Sequence, residues 1–470
     1  MLYARKILFD QLTPITIFAK LQNYFDGELC FLFESAINNN DGNFSFLFIG
    51  AHERIIHHHH TSLRIDESGN THPLGNNPFP YLKERYKNLD QAFYQAKAKE
   101  LGVGFVDGFI GYIGYDAVQI FEPKLKASME NLRDELDIPE VDLMRPKLVC
   151  TFSHKSNTLT LTTFLPALAE RFEAIEAVLK EPHIYIPIQT ADIDSNKGSF
   201  AFSKEAFFTM VEKSKEMIRS GDVFQILMSN RFTQYAHIDR LSFYRILRQK
   251  NPSPYMFYLS YPKFAIIGSS PEVMVGLKDG HILLRPIAGT RKRGSTYEKD
   301  MAYEAEMLHD EKERAEHLML IDLGRNDVGR VAKVGSVKVK EMMRVERYSH
   351  VMHMVSDIEA ELDSSHDMFD LFAATFTAGT MTGTPKIRAM QLISDFEGIK
   401  RSFYSGAAGY FGFDGNMDSC IMIRTAYLDD EKIVFQAGAG IVADSKPELE
   451  YLEVTNKLGA MTSSLHDLKA

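Results

Sequence analysis

Hydrophobic and polar positions divide the chain into short strands and amphipathic helices. In the first 190 residues the apolar runs ELCFLFES, FSFLFIG and KLVCTFS are bounded by polar segments, which predicts strands. Helical spacing predicts helices around Ala92–Leu101 and Leu165–Lys180. This part of the chain is therefore expected to mix helices and strands.

Farther along, the pattern predicts a helix over Ser203–Ser220, strands at FAIIGS and HILLRPI, and one long acidic helix over Tyr297–Leu320. Three later apolar runs, GAAGYFGF, DSCIMIRTAYL and KIVFQAGAGIV, are separated by turn residues at Asp414-Gly415 and near Asp429-Asp430. Consecutive strands joined by tight turns predict an antiparallel meander.

A last helix is predicted after Asp444, where Ser445 and Glu448 have the spacing of a capping box. It would carry Glu453 and Lys457 one turn apart.

The polar stretch Gln189–Ser199 follows the strand-like run HIYIPI and is the expected seam of the chain. It separates an N-terminal region, residues 1–190, from a second region, residues 200–465. Repeats with a period of 20–50 residues are absent from the sequence, so a solenoid is not expected.

Composition narrows the class of protein. The 470 residues include 45% hydrophobic and 25% charged positions, and no run approaches the ~20 apolar residues of a membrane span. The N-terminus lacks the features of a secretory signal, and three scattered cysteines suggest neither disulfides nor a thiolate metal site, so a reducing cytoplasm is expected. A net charge of −10 argues against nucleic acid as the main partner.

Four consecutive histidines, His57–His60, invite a metal interpretation. Neighbouring side chains of a strand point to opposite faces, so four in a row should not converge on one ion. A solvated hairpin without a metal role is therefore expected here.

The block RPIAGTRKRG, Arg285–Gly294, combines glycines with a cationic cluster that could attract a carboxylate. A basic turn alone is more often a solvated surface. The run GTMTGTPK resembles a phosphate loop only superficially, because Gly379 and Gly383 are too close together and Lys386 does not follow the second glycine directly. Nucleotide binding is not expected.

The basic block becomes informative when it is considered together with five other sequence motifs. These are AEHLMLIDLGRNDVGRV, RYSHVMHMVSDIEAEL, TAGTMTGTPKIRAMQLI, SFYSGAAGYFGFDGNMDSCIMIRTA and QAGAGIVADSKPELEYLEVTNK. In this order they resemble the chorismate-binding enzymes, closely over residues 200–465 and more loosely before. The resemblance implies an α+β fold in which orthogonal antiparallel β-sheets form a sandwich flanked by helices, with the N-terminal region intertwined.

The resemblance also implies a site for chorismate, which carries two carboxylates. Glu316 and Glu453 match the family's Mg2+ ligands, and hard oxygen donors suit this ion. Either glutamate alone could equally lie on a solvated helix face, and Lys457 could simply pair with Glu453. Positions that match substrate contacts are Gly289, Thr290, Tyr404, Arg424, Gly438, Ala439, Gly440 and Lys457.

Three positions match the family's proton-transfer groups. His353 lies in a motif placed beside the ring, and neutral imidazole suits proton transfer near neutral pH, although a lone histidine is more often structural. Glu272 matches a carboxylate near the departing ring hydroxyl and is the candidate general acid, with Thr380 near the same hydroxyl.

Two positions choose among the family's reactions. Aminodeoxychorismate synthases commonly carry a lysine nucleophile where this chain has Ala288, and isochorismate and salicylate synthases carry a lysine base where it has Gln225. An amide cannot activate water as an amine can, so ammonia is the expected nucleophile. Both positions favour the anthranilate synthase branch, in which pyruvate is then released. A member that stops at aminodeoxyisochorismate remains an alternative.

The segments LFES and NPSPYMF resemble the site at which anthranilate synthases bind tryptophan as an inhibitor. Alone, each could be an ordinary strand edge or a Pro-rich turn. The resemblance assigns inhibitor contacts to Glu34, Ser35, Pro254, Tyr255 and Met256.

No cysteine of the sequence lies in a glycine-flanked nucleophile elbow, so hydrolysis of glutamine by this chain is not expected. A separate glutamine amidotransferase subunit should supply ammonia, which implies a hetero-oligomer. An inactive scaffold is the alternative of a different class, but it would have lost ligands such as Glu316, Glu453 and Arg424, and all three are present.

Overall fold

A computed structural model describes residues 1–35, 44–182, 185–348 and 351–470 of the chain. These residues form fourteen α-helices. The helices are α1 (Pro14–Tyr24), α2 (Phe79–Lys87), α3 (Gln91–Leu101), α4 (Val118–Phe121), α5 (Lys126–Met129), α6 (Pro166–Ala169), α7 (Phe172–Lys180), α8 (Lys204–Arg219), α9 (Arg240–Lys250), α10 (Tyr297–His309), α11 (Glu311–Gly329), α12 (Met368–Thr375), α13 (Lys386–Glu397) and α14 (Pro447–His466).

The same residues form twenty-two strands. They are β1 (Tyr3–Leu8), β2 (Cys30–Glu34), β3 (Phe44–His58), β4 (Thr61–Ile65), β5 (Thr71–Gly75), β6 (Gly108–Ile113), β7 (Val141–Ser153), β8 (Thr158–Thr163), β9 (Gly198–Phe200), β10 (Gln225–Tyr235), β11 (Tyr255–Ser260), β12 (Ala265–Ser270), β13 (Val273–Lys278), β14 (His281–Leu284), β15 (Ile287–Lys292), β16 (Lys338–Arg347), β17 (Val351–Glu361), β18 (Gly383–Thr384), β19 (Ala407–Gly412), β20 (Met417–Ile421), β21 (Thr425–Leu428) and β22 (Lys432–Ile441).

Every pairing between these strands is antiparallel, which confirms the α+β class. Strands of the first 190 residues pair with strands of the second region: β2 pairs with β11, and β6 pairs with β19. The segment Gln189–Ser199 is hydrogen-bonded to the C-terminal part of the chain, because the backbone N–H of Ala191 donates to the carbonyl of Leu468 at 2.7 Å. The division into residues 1–190 and 200–465 stays a prediction.

Successive side chains of a strand point to opposite faces, and they contribute to two large hydrophobic clusters. Along β11, Met256 and Tyr258 belong to a cluster with residues of α1, α7, α8, α9 and α14. Phe257 and Leu259 belong to the other cluster, with residues of α2 and α12. Burial on both faces explains why such strands appear in the sequence as continuous apolar runs. Among the described residues, no helix is long and apolar enough to cross a membrane.

Several predicted elements are interrupted by local hydrogen bonding. The helix predicted over Tyr297–Leu320 is broken at Asp310, whose carboxylate accepts hydrogen bonds from the N–H groups of Lys312 and Glu313 and so begins α11. The helix predicted over Leu165–Lys180 is likewise two helices, α6 and α7.

Two predicted elements differ from the structure at their ends or in their type. The last helix begins after Lys446, whose side chain makes no capping hydrogen bond, and the predicted Ser445–Glu448 box does not form. The Ser445 hydroxyl instead accepts a hydrogen bond from the N–H of Val442. His183 and Ile184 of the predicted strand HIYIPI lie outside the described residues, and 185–188 are not in a strand.

The predicted three-stranded meander is two hairpins within one larger sheet, because its middle run forms two strands rather than one. β19 pairs with β20, and β21 pairs with β22, but β20 and β21 diverge to join β13 and β12, respectively. The break falls at Met422–Arg424, inside a run that local pattern predicted as one strand.

The histidine run does form a hairpin, between β3 and β4, but it is not uniformly solvated. His57 is buried and its Nδ1 lies 2.8 Å from the hydroxyl of Ser62. His59 and His60 form the turn with positive φ angles.

Candidate active site

The register between β15 and β17 places Thr290 opposite His353. A bulge at Gly289, whose φ is +62°, interrupts this pairing. A Cβ at this position would lie 3.3 Å from the Met307 sulfur and 3.4 Å from the carboxylate of Glu313. Both the positive φ and the limited space therefore favour glycine.

His353 is held through one ring nitrogen. Its Nδ1 lies 3.2 Å from the carbonyl oxygen of Gly289 and 3.0 Å from the hydroxyl of Thr290. Because a carbonyl can only accept, Nδ1 carries the proton of the neutral ring and Nε2 keeps its lone pair. Burial, together with the positive charge of Arg424, lowers the pKa of His353 to about 4. The imidazole is therefore neutral at pH 7.

Glu272 shows the opposite shift. It is buried just before β13, where its carbonyl accepts the N–H of Ile421 at 3.0 Å. Its carboxyl oxygen accepts the hydroxyl of Thr380 at 3.0 Å. Burial raises the pKa of Glu272 to about 7, although Thr380, Lys457 and Arg424 each act to lower it. This carboxyl group can therefore hold a proton at neutral pH.

Arg424 occupies the break between β20 and β21 with a φ of +48°, which is uncommon for a residue other than glycine. Its carbonyl accepts the N–H of Ser269 at 3.1 Å and fixes this turn. Within the described part of the chain, its guanidinium makes no ion pair, and burial lowers its pKa. A desolvated arginine without a paired anion is well suited to bind a carboxylate.

The backbone of β22 approaches Tyr404 closely at Gly438. A Cβ on Gly438 would lie 2.8 Å from the carbonyl of Met228 and 3.1 Å from the Tyr404 hydroxyl, which leaves no room for a larger residue. Lys457, on α14, donates to the Gly438 carbonyl at 3.0 Å. Ala439 and Gly440 continue the same strand, so the segment lies between Tyr404 and α14.

The two predicted metal ligands come from different helices, Glu316 from α11 and Glu453 from α14. Glu316 accepts the side-chain amide of Gln225 at 3.2 Å, and Glu453 pairs with Lys457 at 2.7 Å. Burial raises the pKa of Glu316, and the negative charges of Glu313 and Glu453 raise it further. Carboxylates that repel one another in this way are suited to share a divalent cation.

Two further carboxylates were not among the predicted ligands. Glu313 lies beside Gly289, and the buried Glu450 feels the charge of Glu453, which adds to the effect of burial in raising its pKa. The sequence spacing could have indicated both residues. Glu313 and Glu450 each precede a predicted ligand by three positions and therefore lie on the same helix face as that ligand.

The structure thus joins the predicted proton-transfer, substrate and metal residues through direct contacts or electrostatic coupling. The positive charge of Lys457 influences both Glu272 and His353, and Gln225 lies between Glu316 and Gly440.

The residues predicted to bind tryptophan lie in another part of the fold. The register of β2 and β11 places Glu34 opposite Met256, so the two separated motifs are neighbours. Glu34 is buried, and its carboxylate accepts a hydrogen bond from the hydroxyl of Tyr244 at 2.7 Å. It also accepts two from the guanidinium of Arg248, at 2.7 and 2.9 Å. These contacts hold Glu34 at the end of β2, just before Ser35.

The other inhibitor positions are distributed over both faces of β11. Met256 is fully buried in the cluster that includes α9, whereas the adjacent Tyr255 packs against the opposite cluster. The Tyr255 hydroxyl donates to Asp418 at 3.0 Å, and Pro254 precedes the strand. The inhibitor assignment stays a prediction.

The chain is similar to known proteins over nearly its whole length. A family model described as chorismate binding enzyme matches residues 30–463. The anthranilate synthase component 1 of Aquifex aeolicus is 40% identical, and the match covers 98% of this chain and 93% of the relative.

Solved structures of related proteins have a similar fold. A crystal structure of anthranilate synthase component I from Streptococcus pneumoniae is similar with a TM-score of 0.76 and 31% identity, over 91% of this chain and 93% of the other. The menaquinone-specific isochorismate synthase of Escherichia coli has a TM-score of 0.73 at 16% identity, over 99% and 95%, which shows a shared fold.

Proposed function

This chain belongs to the chorismate binding enzyme family, and from that premise we propose that it is the chorismate-using component of an anthranilate synthase. In this reaction chorismate and ammonia give aminodeoxyisochorismate and water, and the intermediate then gives anthranilate and pyruvate. The named relatives over nearly the whole chain support this activity, which would serve tryptophan biosynthesis.

The observation that carries the proposal is the arrangement around Arg424. The Arg424 guanidinium is partly buried, makes no ion pair with the residues that the structure describes, and lies where its charge acts on both Glu272, whose pKa is about 7, and His353, whose pKa is about 4. A carboxylate binder is thereby combined with one group that can hold a proton and one that can take a proton up at the same pH.

Glu316 and Glu453 would hold Mg2+, and the repulsion that raises the pKa of Glu316 fits this assignment. When bound, Mg2+ would neutralise the ring carboxylate of chorismate and stabilise negative charge that develops there. Gln225 supports this part of the site by orienting the carboxylate of Glu316.

Arg424 and Tyr404, with the amides of Gly438, Ala439 and Gly440, would bind the enol-pyruvyl carboxylate. Gly289 and Thr290 would contact the ring side of the substrate. Glu272 would then protonate the hydroxyl at ring carbon 4 as ammonia adds at carbon 2, so that the hydroxyl leaves as water. Thr380 is hydrogen-bonded to Glu272 and would lie near the same hydroxyl.

In the second half of the reaction, His353 would remove the proton from ring carbon 2. Its Nε2 lone pair is available because Nδ1 is committed to Gly289. The electrons of the broken carbon–hydrogen bond complete the aromatic ring as the carbon–oxygen bond to the enol-pyruvyl group breaks. The proton taken up by His353 would then be delivered to the methylene carbon of that group, which gives pyruvate. Neutral imidazole suits this step because it can accept a proton without first losing one.

Ammonia rather than water is favoured as the nucleophile because the site contains no lysine at the two positions that other family members use. Ala288 is buried in β15, and Gln225 donates its amide to Glu316. Neither side chain can act as a base or an amine nucleophile. A glutamine amidotransferase component would supply ammonia, in keeping with the designation of the relatives as component 1.

Three finer assignments belong to the same proposal. Tryptophan would inhibit the enzyme by binding near β2 and β11. The strand network would form the sandwich of orthogonal sheets expected for the family. The enzyme would act in the cytoplasm, which is supported by the three free cysteines, all buried.

The proposal is tested by incubating the purified chain with chorismate, Mg2+ and ammonium and identifying the products by mass spectrometry and anthranilate fluorescence. Anthranilate and pyruvate in equal amounts are expected. Accumulated aminodeoxyisochorismate would instead identify an enzyme that stops halfway, and isochorismate would overturn the choice of ammonia.

A further inference from the structure

Two of the four consecutive histidines converge at the tip of the β3–β4 hairpin. The rings of His58 and His59 are stacked with centroids 3.9 Å apart. Their Nε2 atoms lie 3.2 and 2.9 Å from the same carboxylate oxygen of Asp137. A carboxylate of Asp134 completes a set of four ligand atoms that lie within 4.8 Å of one another.

We propose that His58, His59, Asp137 and Asp134 form a binding site for a divalent transition metal such as Zn2+. Imidazole nitrogen and carboxylate oxygen are both common zinc ligands, and four donors match its usual coordination number. The site is chemically distinct from the proposed Mg2+ site, whose ligands are all carboxylates, because Mg2+ prefers oxygen donors.

The convergence depends on where the strand ends. Side chains alternate only as long as the chain is extended, and β3 ends at His58. His59 has a φ of +47°, so its ring folds back over that of His58. His57 is buried and bonded to Ser62, and it takes no part in the site.

The charge around the cluster leaves it able to accept a cation. Lys400 lies 2.9 Å from Asp134 and 2.9 Å from Glu140, so it compensates charge on the inner side of the cluster. Asp137 is largely exposed, and its carboxylate contacts both His58 and His59. The outer side of the cluster is therefore open to an ion from solvent.

A metal here would cross-link segments far apart in sequence. His59 and Asp137 are 78 positions apart, and the loop that carries Asp134 and Asp137 is joined to the start of the Lys400 segment by the pairing of Arg133 with Ile399. An ion that binds the folded state alone should raise its thermal stability. The role of this metal site is therefore structural rather than catalytic.

The test uses the untagged full-length chain, stripped with a chelator and titrated with Zn2+ near neutral pH in the presence of excess Mg2+. One Zn2+ per chain and a rise in Tm are expected. His59→Asn and Asp137→Asn should each weaken binding at least about tenfold, since loss of even an outer partner of a metal ligand costs about 10–100-fold. Asparagine tolerates the positive φ of His59, so the hairpin should persist.

His60→Asn is the matched control, because His60 is an exposed neighbour that also has a positive φ and is not part of the cluster. Its zinc affinity should equal that of the unmodified chain. Absence of saturable Zn2+ binding by the unmodified chain would overturn the proposal. Equal affinity in the His59→Asn and Asp137→Asn variants would place any bound zinc elsewhere and would overturn it as well.

Discussion

At the scale of single residues, burial shifts the pKa values of the two proposed proton-transfer groups in opposite directions. It favours the neutral form of each, so it raises the pKa of the Glu272 carboxyl and lowers that of the His353 imidazole. Near neutral pH, one group can therefore give a proton and the other can accept one. The proposed assignment of acid and base rests on this difference between the two pKa values.

If Glu272 is the general acid, kcat/KM should fall as pH rises above about 7, because the protonated fraction of the free enzyme then declines. The measurement is the rate of anthranilate formation at constant free ammonia. Glu272→Gln should lower the rate about 10²–10⁴-fold and abolish this limb. Thr380→Val removes a hydrogen bond that lowers the pKa of Glu272, so the limb should move to higher pH. An identical limb in the Glu272→Gln variant would rule out this role.

The carboxylate pair predicts a requirement for metal. Glu316→Gln or Glu453→Gln should remove nearly all activity and leave the fold intact, since the first change also removes a charge that is repelled by its neighbours. Activity with titrated Mg2+ and circular dichroism would be measured together. Glu448→Gln, at an exposed position on the same helix as Glu453, is the control and should retain activity. Full turnover in EDTA would contradict the magnesium assignment.

At the scale of elements, a local interruption positions side chains that a regular element would not. Arg424 lies in the break between β20 and β21. Glu316 lies on α11, which begins after Asp310 as a helix separate from α10. The two hairpins on either side of the break join different strands, β13 and β12. The site therefore lies at a point where strand pairing changes.

The pairing of β2 with β11 locates the regulatory prediction. Ser35 follows Glu34, which is held by Arg248 and Tyr244, and Ser35→Phe should relieve tryptophan inhibition while keeping most of the activity. If tryptophan and chorismate favour different conformations, their binding is coupled reciprocally, typically by ~1–3 kcal/mol. Tryptophan should therefore raise the chorismate concentration needed for half-maximal rate in the unmodified enzyme.

Inhibition curves for the two proteins are the measurement. Ser68→Phe adds the same ring at an exposed position of another loop and should leave inhibition unchanged. Unaltered inhibition in a normally folded Ser35→Phe variant would refute the pocket.

At the scale of the whole molecule, the cysteines bear on the proposed source of ammonia. Its three cysteines are buried thiols, and burial raises the pKa of each, which disfavours the reactive thiolate. Ammonium at alkaline pH should support anthranilate formation by this chain alone. Glutamine should do so only after a glutamine amidotransferase component is added. Glutamine-dependent turnover by the isolated chain would reveal a second active site within it.

The sequence by itself determined the elements whose pattern is local and strong. Helix α8 begins after Ser203, whose hydroxyl caps it, and β12, β19 and β22 match continuous apolar runs between turn residues. It also determined the family, because long motifs in fixed order carry that information without any geometry. The α+β class follows from both.

Only the tertiary structure decided the properties that depend on distant contacts. Glu272 meets Thr380 across 108 positions, and Gln225 meets Glu316 across 91. The ionisation of Glu272 and the convergence of His58 and His59 on Asp137 both require the packed chain. A local pattern specifies which face a side chain takes, but burial, charge and ligand geometry arise only when separate segments meet.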